Sequence, residues 1–449
     1  MNRFRKLIAL GLVLGLLTVL APGQARAAAE PYAQPITVNG EKKTVLACEG
    51  SYAGNLYLSL TDLAAALQGT DRQFRFERVV SSTDGEYFTI LTGQTPLLPS
   101  GAENAPEKAD PMTLNLMRNR LLVDGEERRY YTHKTQNGDL FMSIIDVQLL
   151  LNLTVGETAE GSLQLDLKKP FAPVPKDLEL NGYFEDLDSV YLAEAESGRL
   201  LYSYHSRETL PVASLTKLLS YLVLKEGIDA GEISEKDKVV ISEHAEALSR
   251  SMDGMVPMQA GQEVPFTELM EGMLLASSNE CALALAEHLC GSEAAFVRRM
   301  QNRAKDLELT TATIRNCSGL PSYGGGMIPV KRQNCMSAED LFRLCQEVLS
   351  RYPEITEITS KRLTNLKTLN DYWTANSNPL VFNMQGVNGL KTGSTARAGY
   401  CVAASMAVEA EDGVHTLVLV LLGAESPEVR GQAAEMLLRY GAERIQSGG

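Results

Sequence analysis

The feature that most limits the possible folds is a repeat in the first third of the chain. Val38-Asn39-Gly40-Glu41 returns 85 residues on as Val123-Asp124-Gly125-Glu126. The stretch from Asn55 to Leu63 returns 84 residues on, from Asp139 to Val147. Each copy opens on Asn-Gly or Asp-Gly, dipeptides that accept the two positive φ angles of a tight hairpin turn. A strand running into a short helix follows, with Ser59 or Ser143 placed to cap it. Alternating strands such as Ser162 to Leu167 close the unit. Residues 31–168 are therefore expected to form a duplicated small α+β module.

A chain of 449 residues exceeds one ordinary core, so further domains are expected. Pro170, Pro173 and Pro175 mark 169–183 as a semi-rigid linker. Residues 184–449 then make a second domain. There, Ser189 to Glu196 alternates, turns at Ser197-Gly198 and returns through Leu200 to Tyr204 as a hairpin. Helical stretches follow at Thr216–Lys225, Phe266–Leu275 and Glu280–Leu289. Strands return at 386–393, 399–407 and 415–423, and Ser426-Pro427 opens a last helix. Strands at both ends with helices between them predict an α+β sandwich whose terminal strands share one antiparallel sheet.

The first 27 residues read as an export signal. Arg3, Arg5 and Lys6 precede an uncharged apolar run, Leu7 to Leu20, and Ala25-Arg26-Ala27 offers a small-x-small cleavage site. The run is short for a membrane span. An extracytoplasmic location, at the cell wall or secreted, is expected. Cleavage takes the formal charge from −14 to −18 by removing Arg3, Arg5, Lys6 and Arg26. Such acidity argues against a nucleic-acid partner and against a simple electrostatic membrane anchor. The seven cysteines include no CxxC. Cys281 and Cys290 lie roughly 13 Å apart along one helix, too far for a bridge. Buried free thiols are expected. Met252, Met255 and Met258 are expected on a flexible apolar surface.

Three short motifs carry the chemistry: Ser214-Leu-Thr-Lys217, Ser277-Ser278-Asn279 and Lys391-Thr392-Gly393. Each alone is weak; in this order and at these wide gaps they form the set of serine acyl-transfer enzymes. Ser214 precedes an apolar helix, and position i+3 puts the Lys217 amine beside its hydroxyl. A serine needs a base to become a nucleophile. Lysine can serve if burial or a neighbouring cation, here Lys391, lowers its pKa. Ser277 and Asn279 fall in a break between helices, where they can reach a cleft. Ser277 is read as a proton relay, and Asn279 as a holder of the substrate amide. Lys391, Thr392 and Gly393 belong on an edge strand able to pair with an extended peptide and take its carboxylate. Gly393 is read as letting the ligand approach closely. The N–H groups of Ser214 and Ser394 would make an oxyanion hole.

The five histidines (His133, His205, His244, His288, His415) lack metal-ligand or triad spacing. They are read as structural or surface residues. No metal and no cofactor is expected.

From these motifs, residues 185–445 resemble the low-molecular-mass penicillin-binding proteins, serine-type D-alanyl-D-alanine carboxypeptidases. Leu274 to Glu287, Asn316-Cys317-Ser318-Gly319-Leu320-Pro321 and Gly389 to Thr395 extend the likeness. The resemblance implies a penicillin-binding/β-lactamase-like sandwich. It implies removal of the terminal D-alanine from peptidoglycan stem peptides through an acyl-Ser214 intermediate, and inhibition by β-lactams. Two departures stand out. Asn334-Cys335-Met336-Ser337-Ala338, after a Gly324–Gly326 insertion, replaces the family's His-x-Ser-Thr-Ala-type segment. On this resemblance, the C-terminal β domain and anchor of many relatives are expected to be missing. The duplicated region resembles the copper amine oxidase-like N-terminal domain of exported bacterial proteins. With His133 its single histidine, it is read as a spacer or as a module that binds cell wall or protein. Two other functions compete. A serine β-lactamase lacks support because no Glu-x-x-Leu-Asn loop lies between Asn279 and Lys391. A catalytically silent wall-binding protein would not need intact motifs.

Overall fold

The computed structural model describes residues 31–49, 56–81, 85–96, 121–128, 132–134, 139–158, 161–171, 175, 184, 186–251, 256–321 and 333–448. The expected export signal, most of the 169–183 linker, Gly324–Gly326, Met252 and Met255 lie outside them.

The first copy of the repeat runs β1 (Tyr32–Val38), β2 (Glu41–Glu49), β3 (Leu56–Ser59), α1 (Leu60–Ala66), β4 (Phe74–Ser81) and β5 (Gly85–Thr92). The second runs β6 (Leu121–Val123), β7 (Glu126–Arg128), β8 (Thr132–Lys134), β9 (Leu140–Ser143), α2 (Ile144–Leu151), β10 (Thr154–Glu157) and β11 (Leu163–Asp166). Asn39-Gly40 and Asp124-Gly125 turn their hairpins with φ of 50° and 85°, and of 51° and 85°. Both helices are capped as the sequence predicts: Ser59 Oγ accepts from Asp62 N at 3.2 Å and Ser143 Oγ from Asp146 N at 3.1 Å.

The two copies exchange their end strands. β1 pairs in parallel with β11 of the second copy, and β6 pairs in parallel with β5 of the first. Between them β3 runs antiparallel to β9, with Leu58 opposite Met142, its own equivalent in the repeat. The copies are thus related by a pseudo-twofold passing between β3 and β9. Neither copy completes its sheet alone.

The second half contains β12 (Ser189–Glu194), β13 (Leu200–Tyr204), β14 (Leu210–Pro211), β15 (Lys238–Val240), β16 (Glu263–Pro265), β17 (Cys335–Met336), β18 (Leu363–Leu366), β19 (Tyr372–Ala375), β20 (Val387–Thr395), β21 (Gly399–Ala410) and β22 (Gly413–Ala424). Its helices are α3 (Lys217–Asp229), α4 (Glu243–Ser249), α5 (Phe266–Leu274), α6 (Asn279–Cys290), α7 (Glu293–Asp306), α8 (Ala338–Arg351), α9 (Ile355–Thr359), α10 (Leu380–Asn383) and α11 (Pro427–Gln446). The main sheet has the order β13-β12-β22-β21-β20. The first and last strands of the domain therefore lie together, and β20 is left at an edge. Leu417, Leu419 and Leu421 face the cluster that contains α11, while Val418, Val420 and Leu422 face the helical core. A strand covered on both faces has no polar side to show, which explains its unbroken apolar run. Helix α3 is buried nearly all round, at the centre of the helical layer.

The module packs on this half. Leu46, Tyr57, Phe141, Ile145 and Leu149 share one apolar cluster with Ala433, Met436 and Leu437 of α11. Gln432 Nε2 donates to Asp146 Oδ1 at 3.3 Å.

The seven cysteines are free thiols, five of them buried. Met258 corrects its expected surface position: it sits in the helical core, 3% exposed, packed in the same apolar cluster as Val256. Among the described residues, no helix is long and apolar enough to cross a membrane.

Candidate active site

Ser214 lies in a 3₁₀ turn, Ala213–Thr216, rather than in the first turn of an α-helix; α3 begins only at Lys217. A 3₁₀ turn eclipses side chains three apart, so the Ser-x-x-Lys spacing serves better here than it would in an α-helix. The turn is held under strain. Ala213 has φ 45°, a conformation costly for a residue with a Cβ. Gly319, at φ 83°, packs so closely that a Cβ there would come within 1.8 Å of the Ala213 carbonyl oxygen. From the other side, a Cβ on Gly393 would lie 2.9 Å from Ser214 N. The sequence assigned the bareness of Gly393 to ligand approach; the group that approaches it in the structure is the Ser214 backbone.

Lys217 is fully buried. Its Nζ donates to Ser214 Oγ at 2.9 Å, to Asn279 Oδ1 at 2.8 Å and to the Ser318 carbonyl at 2.8 Å. Burial lowers its pKa to about 8, against the opposing pull of Cys317, Glu280 and Cys281. Of the two causes expected from the sequence, burial and the neighbouring Lys391, burial is the one that lowers it. Lys391 is itself 1% exposed and held well below the usual lysine range, first by burial, then by the Lys217 charge, then by Arg430. Its Nζ donates to the Thr392 carbonyl at 3.0 Å.

The second motif supplies the break between α5 and α6. Ser277 stands in it at φ 61°, half-buried, and makes no hydrogen bond to either lysine among the described residues. Ser278 caps α6 by accepting from Cys281 N at 2.9 Å, and Asn279 opens the helix. The third motif lies on the edge strand β20, the position expected of it. Thr392 Oγ1 donates to Ser377 Oγ at 2.7 Å, and Ser377 N donates to the Leu275 carbonyl at 3.2 Å. The edge strand is thereby tied to the α5–α6 break. Ser394 follows, exposed.

Three contributors escaped the sequence. The Ser318 carbonyl is a backbone acceptor and has no residue-type signature, though its segment, Asn316 to Pro321, was singled out. Ser377 precedes Asn378-Pro379 in a turn that no motif marks. Asn334, 1% exposed, donates from Nδ2 to Thr216 Oγ1 at 3.0 Å and to the Asn316 carbonyl at 2.9 Å. It fastens the serine turn to the Ser318 segment. A cavity of about 500 Å³ opens beside Asn279 and Ser318, with Leu283, Leu320, His244 and Glu293 along its walls. Among the described residues, no group of three or more His, Cys, Asp or Glu side chains is placed to hold a metal ion.

A buried lysine on a serine, a strained serine turn and an edge strand carrying a second buried lysine define a serine acyl-transfer site in a mixed α+β sandwich. Residues 186–426 match the S11 peptidase family of D-alanyl-D-alanine carboxypeptidases, and the chain belongs to that family. It is 33% identical over 261 residues to the D-alanyl-D-alanine carboxypeptidase DacF of Bacillus subtilis, a match covering 58% of this chain and 63% of that one. The chain thus spans less than two thirds of that relative. With the D-alanyl-D-alanine carboxypeptidase DacD of Escherichia coli it shares 28% identity over 300 residues, 66% of this chain and 70% of the relative. Among solved structures, it is similar to a peptidoglycan synthesis regulatory factor (PBP3) from Streptococcus pneumoniae, with a TM-score of 0.52 and 27% identity over 57% of this chain and 73% of that one. It is also similar to penicillin binding protein 6B from Escherichia coli, with a TM-score of 0.50 and 28% identity over 57% and 76% of the two chains.

Proposed function

We propose that the chain is an exported serine-type D-alanyl-D-alanine carboxypeptidase that trims the terminal D-alanine from peptidoglycan stem peptides and is acylated by β-lactams. The observation that carries this reading is the Lys217 amine, fully buried and 2.9 Å from Ser214 Oγ. With a pKa near 8, a useful fraction of that amine is neutral just above neutral pH and can take the serine proton. Ser214 Oγ then attacks the carbonyl carbon of the scissile bond. The N–H groups of Ser214 and Ser394 receive the oxyanion. The proton held by Lys217 passes through Ser277 to the leaving D-alanine nitrogen, and water later releases the acyl group. Because its Oδ1 is engaged by Lys217, Asn279 offers its NH₂ to the substrate amide.

Lys391 and Thr392 take the terminal carboxylate. A desolvated lysine lacks a counter-charge, and the arriving carboxylate supplies one. The extended substrate pairs along the free edge of β20. The signal at residues 1–27 delivers the chain outside the cytoplasm. The duplicated module, in the manner of a copper amine oxidase-like N-terminal domain, serves as spacer or wall-binding unit.

The test is release of D-alanine from an acylated L-lysyl-D-alanyl-D-alanine peptide, with intact-mass analysis after benzylpenicillin, for wild type and Ser214→Ala. Turnover and a lasting adduct on wild type alone support the reading. A folded wild type with no adduct and no turnover leaves a silent wall-binding protein. Rapid drug hydrolysis without an adduct makes the chain a β-lactamase.

A further inference from the structure

A second cavity, of about 180 Å³, lies between α3, the start of α5 and α9. Tyr221 and Lys225 line it from α3, four and eight residues after Lys217 on one stripe of the helix. At 1.5 Å of rise per residue they stand roughly 6 and 12 Å further along the axis than Lys217. The cavity shares no lining residue with the one beside Asn279. Phe266, Met270 and Ile358 give it an apolar wall.

Its polar groups carry an excess of negative charge. Lys225, 8% exposed, is bracketed by Glu235 Oε1 at 2.7 Å and Glu354 Oε1 at 2.9 Å. Glu271 is held by Lys361 at 2.5 Å and by the Thr364 hydroxyl. Glu357 is exposed and makes no ion pair among the described residues. Four carboxylates against two ammonium groups leave a formal charge of −2.

Tyr221 points to what that charge is for. It is 1% exposed, lines the cavity and makes no hydrogen bond among the described residues. A buried tyrosine hydroxyl ordinarily has a partner. Its ring is set edge-on against Tyr352, with centroids 6.4 Å apart. Burial first, then Glu354 and Glu235, push its pKa up, so the hydroxyl stays neutral and keeps its lone pairs for a donor. Carboxylates accept only, so the whole set calls for a donor that is also a cation. A metal ion fits poorly. Glu235, Glu354 and Glu271 already hold lysines, and among the described residues no group of three or more His, Cys, Asp or Glu is placed to bind one. An ammonium group on an apolar stem fits both the charge and the wall of Phe266, Met270 and Ile358.

We propose that this cavity binds a primary ammonium on a short alkyl stem, either a free aliphatic amine or a lysine-type side chain presented by a peptide, with Tyr221 and Glu357 among its contacts. Such binding needs neither Ser214 nor Lys391.

Isothermal titration calorimetry of the full chain with 1,5-diaminopentane and with Nα-acetyl-L-lysine methylamide tests it. Each probe that binds should saturate one site, and raising the salt from about 0.05 M to about 0.5 M should weaken it. Tyr221→Phe removes a hydroxyl and leaves no other group unpaired, so the variant should fold and bind about tenfold more weakly. Glu357→Gln, at an exposed position, should weaken binding by about two- to fivefold and serves as the second test of the same site. Tighter binding of the diamine makes a free amine the source, and tighter binding of the lysine derivative makes it a peptide side chain. No saturable binding of either probe overturns the proposal. So does wild-type affinity in both variants, which puts the amine elsewhere on the protein. Equally tight binding of 1-pentanol also overturns it, since the cavity would then be selecting the stem and not the charge.

Discussion

Helix α2 and helix α3 both begin with a polar side chain held out of water, and the two charges have opposite sign. At α2, Ser143 caps the helix and Asp146, 3% exposed, stands in its first turn. A carboxylate there meets the positive end of the helix dipole, and Gln432 from α11 donates to it. Helix α1 repeats the device with Ser59 and Asp62, whose Oδ2 accepts from Leu46 N at 2.9 Å. Helix α3 has no side-chain cap and opens on Lys217, a cation at the end of the helix that disfavours one. The contrast separates two uses of a helix start. One stabilises the module and its docking. The other holds an amine that gives up its proton readily, beside two residues, Ala213 and Ser277, in strained conformations. Changes at α3 should therefore alter chemistry more than stability, and changes at α2 the reverse.

The largest effect is expected for Lys217→Met, which keeps the length and removes the charge. Acylation by benzylpenicillin should fall by roughly 10³-fold or more, the scale of a lost general base. Unfolding by denaturant should show no loss of stability, because the variant removes a buried charge along with its bonds. A variant that fails to fold would make Lys217 a structural residue and erase the contrast.

The same pair of proteins gives a pH test. In the folded chain Lys217 titrates near 8, and in the unfolded chain near 10.5. Between these values the unfolded state binds more protons, so this lysine makes stability rise with pH across that window. The stability of wild type relative to Lys217→Met should therefore increase from about pH 8 to about pH 10.5. A flat difference would mean that Lys217 is not desolvated. Taking the difference cancels the buried thiols, such as Cys345, whose raised values act in the opposite direction.

The sequence made much of this legible, for physical reasons. Ser214 and Lys217 are tied by local geometry, and a spacing of three survives the change from an α-helix to a 3₁₀ turn. The two helix starts in the module follow from Ser-x-x-Asp, a purely local signal. The exchange of end strands between the copies was hidden: β1 and β11 alternate alike, and alternation does not name a partner. The docking of the module was hidden too, although α2 carries a trace of it. Its sequence, Ile-Ile-Asp-Val-Gln-Leu-Leu-Leu, is apolar nearly all round, as expected of a helix covered on two sides. The equivalent face of α1 has Thr61 and Ala65 where α2 has Ile145 and Leu149.

That difference between the copies can be measured. Ile145 is 3% exposed in the cluster shared with α11. Ile145→Ala should cost about 2–5 kcal/mol of stability, the usual range for emptying a buried aliphatic site. Thr61→Ala, at the matching position of the first copy, should change stability by no more than about 0.5 kcal/mol. Both should acylate at the wild-type rate. Equal losses at the two positions would mean that the copies are packed alike and that the second is not the docking face.

The smallest effects sharpen the rule at the helix starts themselves. Ser59→Ala and Ser143→Ala each remove one cap and should each cost about 1 kcal/mol in denaturant unfolding. Ser143→Ala should cost slightly more, since Ser143 Oγ also accepts from Gln432 Nε2 at 3.4 Å and so joins the module to α11. Neither change touches Lys217, Asn279 or Ser318, so the acid limb of benzylpenicillin acylation should stay in place in both. A limb that moved in Ser143→Ala but not in Ser59→Ala would show that α2 and α3 are not independent helix starts. It would make the docked module a part of the machinery that sets the Lys217 proton affinity, acting through α11 and the sheet it packs on, whose edge strand is β20.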